Sequence, residues 1–176
     1  MKHAQIIKTI LAICLLAWLP SSNAQQETPE IDWNFWFPNG VTNIKGEPVD
    51  MARLENKVVG FYFSAHWCPP CRMFTPKLVK FYEEHKDEME IVFISADRDQ
   101  KQKDKYFKED GMSWLTIELN GEDSTRLSGG LQVSGIPALF ILNKDAKIIT
   151  AQGVQEIYQD PDVAWQTWRT EALAQK

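Results

Sequence analysis

The sequence predicts an α/β sandwich of three layers, in which a mixed sheet with a parallel core and an antiparallel hairpin edge is flanked by helices. Two continuous apolar runs, residues 58–65 and 91–95, are typical of strands that are buried on both faces of a sheet. A helical segment separates them, and a strand–helix–strand order gives a parallel pair. Residues 138–142 and 147–150 read as two more strands, and the turn-forming tetrapeptide between them predicts the hairpin.

The first 24 residues have the layout of a secretory signal peptide. Lys2 and Lys8 precede an apolar run, Ile10–Leu19, and Ser22-Asn23-Ala24 offers small residues for cleavage. The run is shorter than the ~20 residues that a membrane-spanning helix needs. We therefore expect an exported protein, periplasmic or secreted, that is cleaved after Ala24 and has no stable association with a membrane afterwards.

One folded domain is expected after this segment. Residues 25–39 form a leader and edge segment, in which the aromatic stretch Trp33–Phe37 is either a first edge strand or a flap over the core. Residues 40–176 carry the alternation of strands and helices without a linker or an internal repeat. Without the first 24 residues, the chain is still long enough for one domain with a substantial core.

Four helices are expected along the domain. Residues 70–86 have apolar side chains at helical spacing. Residues 97–110 are highly charged, which predicts a solvated surface helix, with a docking surface for a charged partner as the alternative. Ser124–Leu131 predicts a short helix that Gly129-Gly130 closes. Asp160-Pro161 supplies an N-cap and a proline at the first position of the last helix.

Charge and cysteine usage narrow the classes of function. A formal net charge of −5 at pH 7 argues against nucleic acid or an anionic membrane surface as partner. Cys14 lies in the expected signal peptide, which leaves Cys68 and Cys71. A framework of structural disulfides shows several distant pairs, and a separation of three residues closes almost no loop. We therefore interpret this pair as reactive rather than structural.

The position of the two cysteines predicts their roles. The buried strand ends near Ala65 and the helix begins near Pro70, so Cys68 lies at the helix N-terminus and Cys71 in its first turn. This spacing brings the side chains within ~5–6 Å and suits a disulfide. Free N–H groups and the helix dipole favour a thiolate at Cys68. We expect Cys68 to attack a substrate disulfide and Cys71 to resolve the mixed disulfide.

Pro69 and Pro70 separate the two thiols. The first turn tolerates proline because the N–H group that proline lacks has no intrahelical partner there. The two prolines also remove donors that could stabilise the Cys68 thiolate, which favours a reductant. Potentials of such pairs run from about −270 to about −120 mV, and the argument is too coarse to place this pair on that range. A disulfide oxidase or isomerase therefore stays open.

A family resemblance rests on these motifs. Ala65-His66-Trp67-Cys68-Pro69-Pro70-Cys71, the proline at 76 and Ser134-Gly135-Ile136-Pro137 resemble the thioredoxin superfamily. The stretch FYFSAHWCPPCRMFTPKLVKFYEE, followed by IVFISAD, is most similar to its tryparedoxin and nucleoredoxin branch. The resemblance implies a thioredoxin-like fold and a cis bond between Ile136 and Pro137 that faces the disulfide. It also implies that the Ile136 backbone pairs with an extended substrate and that Pro137 shapes the groove.

The neighbours of the thiols have expected roles as well. Trp67 is expected to line the active-site surface, with a core position as the alternative. His66 is either a loop residue without a role or a residue that tunes Cys68 or transfers a proton. Typical thioredoxins carry a buried acid six residues before the first cysteine, and Tyr62 stands there. The acceptor of the Cys71 proton is therefore open, with water and His66 as candidates.

Other residues are expected to stay outside the chemistry. His85 lies in a charged stretch and is expected to be solvated, and Trp114 either packs in the core or rims the groove. Structural zinc needs four ligands, and the chain after the expected signal peptide has only the two cysteines, His66 and His85 as cysteine and histidine candidates. We therefore do not expect a zinc site. Haem attachment requires a histidine after Cys71, where Arg72 stands. We expect no metal and no cofactor besides the redox-active Cys68–Cys71 disulfide.

These observations predict a thiol–disulfide oxidoreductase of an exported compartment. It is expected to reduce substrate disulfides through Cys68 and Cys71, with Trp67, Ile136 and Pro137 in the substrate groove and Tyr62, His66 and the two prolines as tuning residues. Its expected partners are a protein or small-molecule disulfide and an upstream thiol–disulfide electron donor. The alternatives are a disulfide oxidase or isomerase, and a non-catalytic thioredoxin-like module that binds peptides.

Overall fold

A computed structural model of the protein describes residues 32–173, so the expected signal peptide lies outside the described residues. The helices within that range are α1 (Trp33–Trp36), α2 (Pro69–His85), α3 (Gln100–Glu109), α4 (Glu122–Gly130), α5 (Gly153–Gln159) and α6 (Pro161–Leu173). The strands are β1 (Val41–Thr42), β2 (Pro48–Val49), β3 (Val58–Ser64), β4 (Met89–Ser95), β5 (Leu115–Thr116), β6 (Ala138–Leu142) and β7 (Ile148–Thr150). A 3-10 helix spans Met51–Leu54.

The strands form one mixed sheet in the order β2-β1-β5-β4-β3-β6-β7. The two long central strands, β3 and β4, are parallel, and β5 continues the parallel part. On the other side, β6 pairs antiparallel with both β3 and β7. The predicted fold class, a mixed sheet with a parallel core and an antiparallel hairpin edge, is therefore confirmed.

Two apolar clusters lie on opposite faces of the sheet, and successive residues of β3 alternate between them. Tyr62 belongs to the first cluster, together with side chains of α2, α3, α5 and α6. Phe61 and Phe63 belong to the second cluster, with side chains of α1 and α4. The alternation follows from the two-residue period of a strand, which points neighbouring side chains to opposite faces. The three predicted layers are thus helices, sheet and helices.

The aromatic segment near the start of the described chain is a helix, so its interpretation as an edge strand is wrong. Asp32 caps α1, since its carboxylate accepts a hydrogen bond of 2.8 Å from the Phe35 N–H group. Trp33 and Phe37 are buried in the second apolar cluster. The indole of Trp36 donates to the Ala146 carbonyl at 2.8 Å. The sequence left an edge strand and a flap over the core open, and the structure has a capped one-turn helix that packs on the core.

Two predictions about charged stretches need correction. Helix α3 is not a fully solvated helix, because Lys103, Tyr106 and Phe107 are buried. His85 is not simply solvated either: its ring stacks on Trp165 with a centroid distance of 4.1 Å. Burial lowers the pKa of His85. In both cases the contact partner is an aromatic side chain from another element of the chain.

Within residues 32–173 no helix is long and apolar enough to cross a membrane.

Candidate active site

The two cysteines form a disulfide at the start of α2. Their Cα atoms lie 5.2 Å apart. Cys68 is the N-cap of the helix, and Pro69 is its first residue. The Cys71 N–H group donates to Cys68 Sγ at 3.3 Å, and the Arg72 N–H group donates to the Cys68 carbonyl at 3.0 Å. Because the two prolines have no N–H, Cys71 supplies the first backbone donor that can reach the capping sulfur.

The two sulfurs differ in their surroundings. Cys71 is completely buried, while Cys68 keeps a small exposed fraction of 3% at the surface. Ala65 packs against both cysteines, and Ile136 adds to this contact from another part of the chain. Cys68 is therefore the more exposed residue of the pair.

The loop before β6 faces Cys68. The peptide bond between Ile136 and Pro137 is cis. The carbonyl oxygen of Ile136 lies 3.7 Å from Cys68 Sγ, although 68 residues separate them in the chain. The structure thus places Ile136 and Pro137 beside the disulfide, where the family resemblance implied that a substrate backbone would pair.

An apolar cavity adjoins this loop. Its volume is about 270 Å³, and Trp67 and Ile136 line it together with Phe63, Ile94 and Val133. Half of the Trp67 surface is exposed, so this residue is not a core residue. Its indole N–H donates to the Ala96 carbonyl at 3.0 Å, which fixes the ring at the carboxyl end of β4. The cavity therefore lies next to the Ile136 loop that faces Cys68.

Hydroxyl groups pack beneath the disulfide. The hydroxyl of Thr75 donates to the Cys71 carbonyl at 3.0 Å, and the Tyr62 hydroxyl lies 2.7 Å from the Thr75 oxygen. Tyr106 also hydrogen-bonds Thr75, and it lies 2.8 Å from the Ser64 hydroxyl. Burial raises the pKa of Tyr62 and of Tyr106. Both phenols therefore keep their protons near neutral pH and cannot act as bases there.

His66 is part of an ionic cluster on the side of α3. Its ring Nε2 lies 3.0 Å from a carboxylate oxygen of Glu109, which also accepts a bond of 3.1 Å from Arg72. A second guanidinium nitrogen of Arg72 lies 2.9 Å from Asp110. The backbone N–H of His66 donates to the buried carboxylate of Asp97 at 2.8 Å. His66 is thus held at both its backbone and its ring.

Sequence reasoning did not find the three carboxylates of this region. Asp97 follows β4 at the carboxyl edge of the sheet, where the ends of parallel strands converge, and this position was an available signal. Glu109 and Asp110 lie at the end of a charged helix, and no local sequence pattern predicted that they would lie near the disulfide. Trp114, in contrast, lies in the core near Tyr62 and Tyr82, so its interpretation as a rim of the groove is wrong.

Three histidine, cysteine or acidic side chains do not converge as a set of metal ligands anywhere in the described range 32–173. The reactive groups identified at the site are the two cysteine sulfurs. A disulfide at a helix N-terminus, facing a cis-proline loop at the carboxyl edge of a mixed sheet, defines the thioredoxin class of oxidoreductases.

Comparison with known proteins places the chain more closely. The family model described as thioredoxin-like matches residues 56–148, and the chain belongs to this family. It is 42% identical to nucleoredoxin of Danio rerio over 145 residues, which cover 76% of this chain and 34% of that protein. It is 37% identical to tryparedoxin of Trypanosoma brucei brucei over 135 residues, 73% of this chain and 92% of that protein.

Solved structures agree with this branch of the family. Tryparedoxin II of Crithidia fasciculata has a TM-score of 0.68 and 33% identity, with 74% of this chain and 89% of that chain covered. Tryparedoxin II has also been solved in complex with glutathionylspermidine, and that structure has a TM-score of 0.67 and 32% identity, with coverages of 73% and 92%. The chain is therefore a thioredoxin-like protein of the tryparedoxin and nucleoredoxin branch. It spans about one third of the length of the nucleoredoxin it matches.

These relatives contradict the predicted localisation. Nucleoredoxins and tryparedoxin are cytosolic or nuclear proteins, so the expectation of an exported chain, periplasmic or secreted and cleaved after Ala24, is wrong. The expectation rested on a short apolar run that follows two lysines. This is a pattern of composition, and no structural contact supports it. The run lies outside the described residues.

Proposed function

We propose that this chain reduces substrate disulfides by thiol–disulfide exchange through Cys68 and Cys71. The observation that carries the proposal is the position of the pair. Cys68 caps α2 and has the more accessible sulfur, while Cys71 is buried directly behind it. Attack at one sulfur and resolution by the other require this arrangement.

The reaction is balanced by two exchange steps. The Cys68 thiolate attacks one sulfur of the substrate disulfide, and the other substrate sulfur leaves as a thiolate that takes up a proton. Cys71 then loses its proton and attacks Cys68 Sγ, which forms the Cys68–Cys71 disulfide and releases the second substrate thiol. Two electrons pass from the enzyme dithiol to the substrate, and an upstream thiol donor of the same chemistry restores the dithiol.

The surroundings of Cys68 support the direction of electron flow. Hydrogen-bond donors to the attacking thiolate stabilise the reduced form of the pair. A disulfide whose reduced form is stabilised is strongly oxidising. Pro69 and Pro70 remove two such donors, and the Cys71 N–H group is the backbone donor in contact with Cys68 Sγ. We therefore favour a reductase over a disulfide oxidase or isomerase.

The groove supports a substrate with an extended backbone. The Ile136 carbonyl lies beside the reactive sulfur, and the apolar cavity between Trp67 and Ile136 continues the groove. A protein disulfide can use both features. Tryparedoxin II has been solved in complex with glutathionylspermidine, so a small-molecule disulfide is the alternative substrate, and it can use the reactive sulfur and the first part of the groove.

The purified full-length chain tests the proposal. Dithiothreitol supplies electrons, insulin supplies a protein disulfide, and the turbidity of the released insulin B chain reports reduction. Catalysis that is lost in Cys68→Ser supports the proposal. No thiol-dependent rate with insulin or with a small aromatic disulfide would leave a peptide-binding module as the function. Equilibration with glutathione then measures the potential: about −250 mV or lower indicates a reductase, and about −130 mV an oxidase.

A further inference from the structure

The resolving step poses a problem that the hydroxyl groups beneath the disulfide do not solve. Cys71 attacks as a thiolate, so it must lose a proton inside a buried site, and burial in apolar surroundings opposes that loss. Tyr62 and Tyr106 keep their protons because burial raises their pKa values. Some other charge near the first turn of α2 must control the ionisation of Cys71.

The ionic cluster of His66, Arg72, Glu109 and Asp110, here called the α3 cluster, is next to this turn. Arg72 follows Cys71 directly in the helix, and its guanidinium lies over the Tyr106 ring at 5.4 Å from the centroid. Two carboxylates compensate its charge, Glu109 at 3.1 Å and Asp110 at 2.9 Å. The positive charge of Arg72, which follows Cys71 in the chain, is therefore compensated by two carboxylates at the C-terminal end of α3.

Asp110 is the unusual member of the cluster. Its side chain is only 6% exposed, and its second carboxylate oxygen, Oδ2, is buried without a hydrogen-bond partner among the described residues. Such an atom is costly in a folded protein and calls for an explanation. Protonation lowers the cost by neutralising the buried charge, and burial accordingly raises the pKa of Asp110, against the opposing effect of Arg72. Glu109 behaves differently, because hydrogen bonds from His66 and Arg72 lower its pKa.

We propose that Asp110 is a positioning residue that controls, through Arg72, how readily Cys71 loses its proton. An ionised Asp110 masks the guanidinium and disfavours a thiolate next to it. A protonated Asp110 leaves Arg72 less compensated, and the free positive charge favours the Cys71 thiolate. The inference rests on the proposed function, since it assigns a role in the resolving step of that reaction.

The other charged groups around Asp110 are compatible with this role, and none of them has the features that assign the role to Asp110. Glu109 is shared between Arg72, the His66 ring and Lys105, whose ammonium lies 3.6 Å from it. Glu109 therefore stays ionised, and its charge does not change while Asp110 gains or loses a proton. Asp110 alone in the cluster combines a buried, unpartnered oxygen with a direct contact to Arg72.

Stopped-flow reaction of the reduced full-length protein with 5,5′-dithiobis(2-nitrobenzoate) separates the two steps. Attack by Cys68 releases the first thionitrobenzoate anion, and resolution by Cys71 releases the second. Because the second rate follows the thiolate fraction of Cys71, its dependence on pH gives the ionisation of that thiol. If no first release occurs, the proposed function fails. If both releases occur, the proposed function holds, and the rate of the second release in the variants tests the inference.

Asp110→Asn is the main variant, and Asp104→Asn, on the exposed face of the same helix, is its matched control. We expect Asp110→Asn to accelerate the second release about tenfold at pH values below the inflection of its pH profile. The reason is that a shift of one unit in the pKa of Cys71 changes the thiolate fraction tenfold. The first release should change less than twofold. Arg72→Gln should slow the second release by a similar factor. Both variants must keep the circular dichroism spectrum and cooperative melting of the parent.

Three outcomes decide the inference. Opposite shifts in Asp110→Asn and Arg72→Gln, with no shift in Asp104→Asn, support it. Identical profiles for Asp110→Asn and Asp104→Asn overturn it. A slower second release in Asp110→Asn also overturns it, because that result assigns Asp110 as a base and not as a mask of Arg72.

Discussion

The two flanks of the disulfide differ in chemistry. On one flank, Trp67 and Ile136 line an apolar cavity of about 270 Å³ that has no charged side chain in its lining. On the other flank, His66, Arg72, Glu109 and Asp110 form contiguous ionic contacts of 2.9–3.1 Å. The proposed roles divide in the same way: we assign substrate contact to the apolar flank and proton control to the charged flank. Changes on the apolar flank should alter KM, and changes on the charged flank should alter the pH profile.

The largest expected effect lies at the disulfide between the flanks. Cys71→Ser should lower turnover of a protein disulfide by more than about 10³-fold, because without the buried thiol the mixed disulfide on Cys68 is not resolved. Mass spectrometry of a non-reducing gel band should find the substrate joined to Cys68.

Cys68→Ser is the control and should join nothing, since the nucleophile is gone. An adduct on Cys71 in that variant would exchange the roles of the two thiols. If Cys71→Ser turned over at the rate of the parent, resolution would come from an external thiol, and the charged flank would have no thiol to control.

A change on the apolar flank is expected to be smaller. Trp67→Ala should raise KM for insulin about tenfold, which corresponds to ~1.4 kcal/mol, because an exposed aromatic ring beside a cavity contributes contact area to a bound chain. The kcat and its pH dependence should stay close to those of the parent.

The matched measurement uses a small aromatic disulfide, which does not reach the cavity and should lose little. A pH profile that moves in Trp67→Ala would contradict the separation of the two flanks. Equal losses with insulin and the small disulfide would mean that Trp67 acts on the sulfur itself and not on the substrate chain.

The smallest effect is expected at Tyr62, which lies beneath both flanks. Tyr62→Phe removes the hydroxyl that contacts Thr75 at 2.7 Å. It should cost about 1 kcal/mol in the free energy of unfolding, the usual contribution of one internal hydrogen bond. The pH dependence of resolution should not change, since Tyr62 keeps its proton in the working range. Urea unfolding and the stopped-flow assay check the two halves of this prediction.

Tyr62→Asp is the informative counterpart. It places a carboxyl below Cys71 and should shift the inflection of the resolving step, whereas Tyr62→Phe should not. If the two variants had the same pH profile, Tyr62 would be a core residue without a part in the chemistry.

Local patterns explain why much of the fold was predictable. The runs at 58–65 and 91–95 are continuous and apolar, and the structure has strands at Val58–Ser64 and Met89–Ser95. The last helix begins at Pro161, as its cap and proline indicated, and buries Ala164, Trp168 and Ala172. The two-residue strands β1, β2 and β5 escaped prediction, because two residues are too few to show a period.

The sequence by itself determined the local chemistry of this protein. A strand that runs into a helix places Cys68 at the N-terminus and Cys71 within the first turn, and adjacent residues decide such positions. Only the tertiary structure decided what surrounds the thiols. The Ile136 carbonyl is 68 residues away from Cys68, and Glu109 is 43 residues from His66 and 37 from Arg72. These contacts depend on the order of the strands and the packing of α3 on the sheet. Periodicity and residue spacing do not carry that information, because it arises from burying both faces of one sheet at once. For Ile136, the family resemblance alone implied the contact.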